Sequence, residues 1–198
     1  MCSSDLITVC FFILLPFWDS DSKMKKHTVI HIDTAEFHNA VYILGREEKI
    51  YNWNQNVEFR KRLVGLLGEI AAAKHLNNIH GRHRIIIPMG VNARTGVSVN
   101  AFGQGDIMTI SRVGKRERQT HVYEVKSTEG TGRQLPTIRQ DNAESYVMNG
   151  VDAIILVAVQ INKAKAECRI MQQVSPVEVI EKWRPMVNRY GQECYAFN

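Results

Sequence analysis

The pattern of polar and apolar positions along the 198-residue chain changes period several times, and each change marks an element. His27 to Ile32 alternates, as a strand does when one face is buried. Asp33 and Glu36 have capping-box spacing, in which each side chain satisfies a free backbone N–H at a helix start; that helix is expected to run to about Tyr51. Asn56 to Leu76 is the clearest helix. Phe59, Leu63, Leu66, Ile70 and Ala73 recur at steps of three and four and define an apolar stripe. Glu69 lies roughly 80° from the centre of that stripe, at the edge of the core, where a carboxylate calls for a partner. Gly65 and Gly68 cost about 1 kcal/mol each against alanine in a helix, so close packing on their side is expected.

Further along, Arg84 to Pro88 is a short β-branched strand ended by proline, and Asn92 to Gly105 is a polar, Gly-containing loop. Asp106 to Ser111 alternates again, with Asp106 at the strand's start on the face opposite Ile107. Arg112 to Gln119 has the composition of a hairpin turn with concentrated positive charge, and it leads into the strand His121 to Lys126. Ser127 to Gln134 is a Gly/Thr-rich loop. Thr137 opens a helix ending near Gly150, with Thr137 and Gln140 at capping-box spacing. Ile154 to Val159 is the continuous apolar run of a strand buried on both faces, and Ala166 to Gln172 is a further, exposed strand. Ser175-Pro176-Val177-Glu178 starts a last helix, with proline at its first position, that continues to about Arg184.

Composition bounds this picture without fixing it. With 44% hydrophobic and 23% charged residues and no Pro- or Gly-rich interior linker, residues 24 to 198 are expected to form a single domain. Leu6 to Trp18 is mostly apolar but shorter than the roughly 20 residues that span a bilayer. No basic residue precedes it as a signal peptide would require. Residues 1 to 23 are therefore expected to be a disordered tail or a mis-assigned extension before Met24, with no stable membrane association. The net charge is +5, and the first 23 residues carry three aspartates against one lysine, so the remainder is +7. A surplus of that size favours a polyanionic partner. Four scattered cysteines without metal-ligand spacing point to a reduced, cytoplasmic setting, and the seven histidines lack an HExxH-type arrangement for zinc.

The chemistry gathers at His121 to Lys126. Residues two apart on a strand share a face, so Glu124 and Lys126 point one way and Tyr123 and Val125 the other. If a neighbouring strand brings Asp106 alongside, two carboxylates and an ammonium converge. That set offers oxygen ligands to a hard divalent ion and a lysine to orient or deprotonate water. Glu-x-Lys alone is common; Glu47-Glu48-Lys49 is a second copy, in a helical pattern. The bland alternatives are a surface charge pair at Glu124 and Lys126, a solvated Glu69, a turn residue at Asp106 and a helix cap at Gln140.

In order, helix, three strands, helix and strand, with Gly68-Glu69, Gly105-Asp106-Ile107 and Glu124-Val125-Lys126-Ser127 at matching places, the chain resembles the PD-(D/E)XK nuclease superfamily over roughly its middle half. The resemblance implies an α/β fold with a restriction-endonuclease-like αβββαβ core, a mixed central sheet flanked by helices. It implies Mg²⁺, with Mn²⁺ substituting, held by Asp106, Glu124, the Val125 carbonyl and peripherally Glu69. Lys126 would position or activate water, and Gln140 would orient Lys126 or touch phosphate. The partner implied is DNA, with Arg112, Lys115, Arg116, Arg118, Arg133 and Arg139 as candidate contacts and a symmetric homodimer as the assembly of an enzyme cutting both strands. The Gln-x-x-x-Tyr of RecB-like members is not reproduced: Glu144 stands at the tyrosine's place and Tyr146 follows two later. Holliday-junction resolvases and restriction enzymes fit equally. The alternative is an inactive nucleic-acid-binding protein of the same fold.

Overall fold

The computed structural model describes residues 28–51, 57–80, 84–88, 105–112, 117–132 and 135–197. The tail or extension expected over residues 1 to 23 and most of the loop expected at Asn92 to Gly105 lie outside them.

Strand β1 (Thr28–Ile32) leads into helix α1 (Thr34–Tyr51) through the expected capping box. The Glu36 amide donates to Asp33 Oδ1 at 2.9 Å, and the Asp33 amide donates to Glu36 Oε2 at 3.0 Å. Helix α2 (Val57–His80) follows, then β2 (Arg84–Pro88), β3 (Ile107–Arg112) and β4 (Arg118–Glu129). Next come β5 (Ile138–Arg139), α3 (Gln140–Met148), β6 (Ala153–Asn162) and β7 (Lys165–Val174). Helix α4 (Pro176–Lys182) starts at the expected cap, where Ser175 Oγ accepts from the Glu178 amide at 3.1 Å; β8 (Arg184–Val187) and β9 (Glu193–Ala196) close the chain.

Six strands form one mixed sheet in the order β1-β7-β6-β4-β3-β2, in which only the β4–β6 pair is parallel. β5, β9 and β8 form a small antiparallel sheet. The central sheet separates two cores. Ile155, Val157 and Val159 of β6 pack with Leu66, Leu67, Ala71 and Leu76 of α2 and with Leu44 of α1. The alternate residues Ile154 and Leu156 pack instead with Ala143 and Tyr146 of α3, Val179 of α4 and Trp183. That alternation explains the unbroken apolar run, since a strand covered on both faces needs apolar side chains at every position. Among the described residues no helix is long and apolar enough to cross a membrane.

Several expectations change. The apolar side of α2 is broader than the stripe based on Phe59, Ile70 and Ala73, which are only partly buried. The helix packs against α1 as well as the sheet, and Val64, Leu67, Ala71 and Ala72 are buried in addition to the stripe. β7 is not an exposed strand: Ala166, Cys168 and Ile170 alternate into the α2 core. Ser127 to Glu129 belong to β4, because pairing with Val157 to Val159 of β6 holds them extended. Thr137 caps nothing. Ile138 and Arg139 pair with Tyr195 and Cys194 of β9, which keeps the chain extended until α3 begins at Gln140, with no side-chain cap.

Candidate active site

β3 and β4 pair antiparallel from Arg112 opposite Arg118 to Ile107 opposite Tyr123, where β3 begins and the ladder stops. β4 runs on through Glu124 to Glu129 with β6 on its other side. At the point of departure stands Gly105-Asp106. Gly105 has φ +83°, and a Cβ there would lie 2.7 Å from the Tyr123 carbonyl oxygen and 2.7 Å from Val122 Cγ1, so both backbone conformation and space require glycine. This tight entry lets the Asp106 amide donate to the Tyr123 carbonyl at 2.8 Å and brings Asp106 Oδ2 within 2.8 Å of the Val125 amide, which donates to it. The aspartate side chain thus takes the place of the next ladder carbonyl. A strand residue's N–H and C=O point to the same edge, so the Val125 carbonyl faces the edge where Asp106 stands.

Glu124 and Lys126 project from the face covered by α3, while Tyr123 and Val125 enter the α2 core. Glu124 is 8% exposed, and its Oε1 accepts from Lys126 Nζ at 2.5 Å and from the Tyr146 hydroxyl at 2.9 Å. Tyr146 also lies under the ammonium, with Nζ 5.3 Å from its ring centroid. Burial is the largest single influence on Lys126 and opposes its charge, but Glu124 and Tyr146 together outweigh it and hold the ammonium above the ordinary lysine range. Burial likewise pushes the Tyr146 phenol up to about 12, so at neutral pH it is a hydrogen-bond donor to the carboxylate. Both hydrogen bonds described for Glu124 use one oxygen; Oε2 remains for a ligand.

Glu69 is 6% exposed, inside the core and not on a solvated flank. Its helix lies on the Val125 face of the sheet, and the neighbouring Gly68 rests on Ser127 of β4. The expected close approach is therefore made at Gly68; at Gly65 an added Cβ meets nothing within 4 Å. The sheet brings Asp106 and Glu124 to one stretch of β4, whereas Glu69 belongs to α2, the helix that covers the opposite face from Glu124. Among the described residues no three His, Cys, Asp or Glu are grouped so that they could hold a metal ion. Any ion would draw its first ligands from Asp106, Glu124 and the Val125 carbonyl. Such a small oxygen set suits Mg²⁺, which keeps several waters.

Gln140 lies on α3, and the side-chain contact that reaches the Glu-x-Lys pair from this helix comes from Tyr146. Tyr146 was not legible as a site residue from local pattern. Its signals in the chain are the step of three from Ala143 and its place two residues past the position compared with Gln-x-x-x-Tyr. Of the candidate nucleic-acid contacts, Arg118 and Arg139 are exposed, and Arg139 pairs with Asp141. Lys115, Arg116, Arg133 and the side chain of Arg112 lie outside the described residues. Comparison of the chain with family models, curated proteins and solved structures finds no match.

Proposed function

We propose that the chain is a Mg²⁺-dependent endonuclease that hydrolyses phosphodiester bonds of DNA, with a restriction-endonuclease-like core formed by α2, β2, β3, β4, α3 and β6. The observation that carries this reading is the junction where β3 begins: Asp106 is anchored on the amide of Val125, which lies between the paired Glu124 and Lys126 at the most buried stretch of β4. The antiparallel β2-β3-β4 set followed by parallel β6 supports the same reading, being the strand order that the resemblance to the PD-(D/E)XK superfamily implies.

Asp106, Glu124 and the Val125 carbonyl would hold the ion. Mg²⁺ supplies a lowered pKa for bound water and charge stabilisation at the phosphoryl oxygens. Asp106, fixed through Oδ2, cannot swing away from the edge of β4 without losing the Val125 hydrogen bond. Lys126, held as a cation, favours the negative charge that develops as phosphorus becomes five-coordinate and orients water instead of taking its proton. The walls of Ile154 and Leu156 beside Glu124 and Lys126 lower the local dielectric and strengthen both effects. Glu69 serves the site peripherally, and Gln140 remains a candidate for phosphate contact at the start of α3.

The test is a cleavage panel of linear, supercoiled, branched and methylated DNA with Mg²⁺ or Mn²⁺. Asp106→Ala and Lys126→Ala should still bind DNA, with affinity that falls steeply with salt, and should lose metal-dependent cutting. Unchanged cutting by both variants would exclude this site. DNA binding by the unaltered chain without cutting of any substrate would leave the same fold as a non-catalytic DNA-binding protein.

A further inference from the structure

We propose that Tyr146 is a positioning residue of this site, which orients Glu124 through Oε1 so that Oε2 is presented to the metal. The proposal rests on the nuclease reading and adds to it a residue from outside the Asp…Glu-x-Lys set.

Three observations carry it. The Tyr146 hydroxyl donates to Glu124 Oε1 at 2.9 Å, the same oxygen that Lys126 approaches at 2.5 Å. Two donors on one oxygen define the carboxylate plane and leave the second oxygen pointing away from both. Tyr146 is itself 6% exposed and seated among Ile154, Leu156, Ala143 and Val179 in the second core, so its hydroxyl position is set by packing and not by a mobile side chain. Its ring lies 5.3 Å from Lys126 Nζ, so the residue that orients the ligand also gives the cation a platform. A carboxylate that ligates a metal through one oxygen is commonly held through its other by such a partner, and losing the partner typically costs about 10- to 100-fold in metal affinity or activity.

Two variants of the full chain separate this role from simple core packing. Tyr146→Phe keeps the ring in the core and beneath Lys126 and removes only the hydroxyl. Tyr146→Leu removes the platform as well. The readouts are Mn²⁺ binding by electron paramagnetic resonance without DNA, the Mg²⁺ concentration giving half-maximal cleavage, and the melting temperature. Tyr146→Phe should weaken Mn²⁺ binding by about 10-fold and raise the half-maximal Mg²⁺ concentration by a similar factor. The cleavage rate at saturating metal should fall less than that. Tyr146→Leu should add a loss of rate that excess metal does not restore. A folded Tyr146→Phe protein with Mn²⁺ binding within about twofold of the unaltered chain overturns the proposal, as does a lowered melting temperature with unchanged metal dependence. Glu124→Gln and Asp106→Ala serve as controls. If they abolish Mn²⁺ binding while Tyr146→Phe does not alter it, the Tyr146 role alone fails; if they too leave binding and cleavage intact, the nuclease reading fails and this proposal with it.

Discussion

Gly68 approaches Ser127 so closely that a methyl group on its Cα would sit 1.8 Å from the serine hydroxyl oxygen and 2.9 Å from the serine Cβ. The glycine costs α2 helix propensity, and in return the helix lies directly on β4 beside Lys126. Gly68→Ala should therefore destabilise the protein by about 1 to 3 kcal/mol, the usual cost of overpacking, in spite of alanine's better propensity. Ser127 Oγ is buried with no hydrogen-bond partner, so Ser127→Ala alone should be nearly neutral and should recover part of the loss in the double variant. Thermal unfolding of the four proteins measures the coupling. Additive effects would show that α2 moves aside at no cost.

Asp106 has a structural duty separate from any chemistry, because Oδ2 accepts the Val125 amide where the β3 ladder stops. Asp106→Asn retains an acceptor of the same shape and should fold with nearly unchanged melting temperature while losing at least about 100-fold in metal-dependent cleavage. Asp106→Ala loses the acceptor too and should cost about 1 to 3 kcal/mol more in stability, the usual result of stranding a partly buried donor. Equal melting temperatures for the two variants would show that the Val125 amide finds another acceptor.

His75 links stability to acid. It is buried, its Nδ1 has no hydrogen-bond partner, and burial lowers its pKa from 6.5. The unfolded chain then binds a proton that the folded chain resists, so this contribution to stability is intact above about pH 6.5 and declines as pH falls below it. His75→Leu should raise the melting temperature more at pH 5 than at pH 8. An equal change at both values would sever His75 from the acid sensitivity.

Cys168 is fully buried on β7, where its thiol faces the Leu67 carbonyl at 3.8 Å and burial pushes its pKa up to about 12. The thiolate that reacts with disulfide reagents is thus scarce at neutral pH and shielded as well. In native protein Cys168 should label at least about 100-fold more slowly than in urea, as followed by mass spectrometry of the tryptic peptide. Rapid native labelling would mean that β7 opens readily from the sheet.

Local chemistry was legible in the chain and distant pairing was not. Asp33 with Glu36 and Ser175 with Glu178 could be recognised because each partner lies three residues away and the geometry is that of a single helical turn. Strands β1, β2, β3 and β6 announced themselves by alternation or by an unbroken apolar run. β5, β8 and β9 did not: two to four residues carry no period, and their extended state depends on partners such as Tyr195 opposite Ile138. The candidate site divides along the same line. Glu124 and Lys126 share a face by strand geometry alone, and Gly105-Asp106 gave a recognisable dipeptide. Tyr146, 22 residues beyond Glu124, meets it only because α3 folds back across β6.

β4 divides its side chains strictly, with Glu124 and Lys126 on the Tyr146 side and Tyr123 and Val125 on the α2 side. Slipping β4 by one position against β6 would trade these sets, forcing a carboxylate and an ammonium under α2 and turning valine toward the tyrosine hydroxyl. Inserting or deleting a single residue in this strand should therefore abolish folding and chemistry together, with no dead but well-folded product. The interior demands the same reading frame that the Glu124–Lys126 pair does, so every molecule that completes its core arrives with those two side chains already on the Tyr146 side.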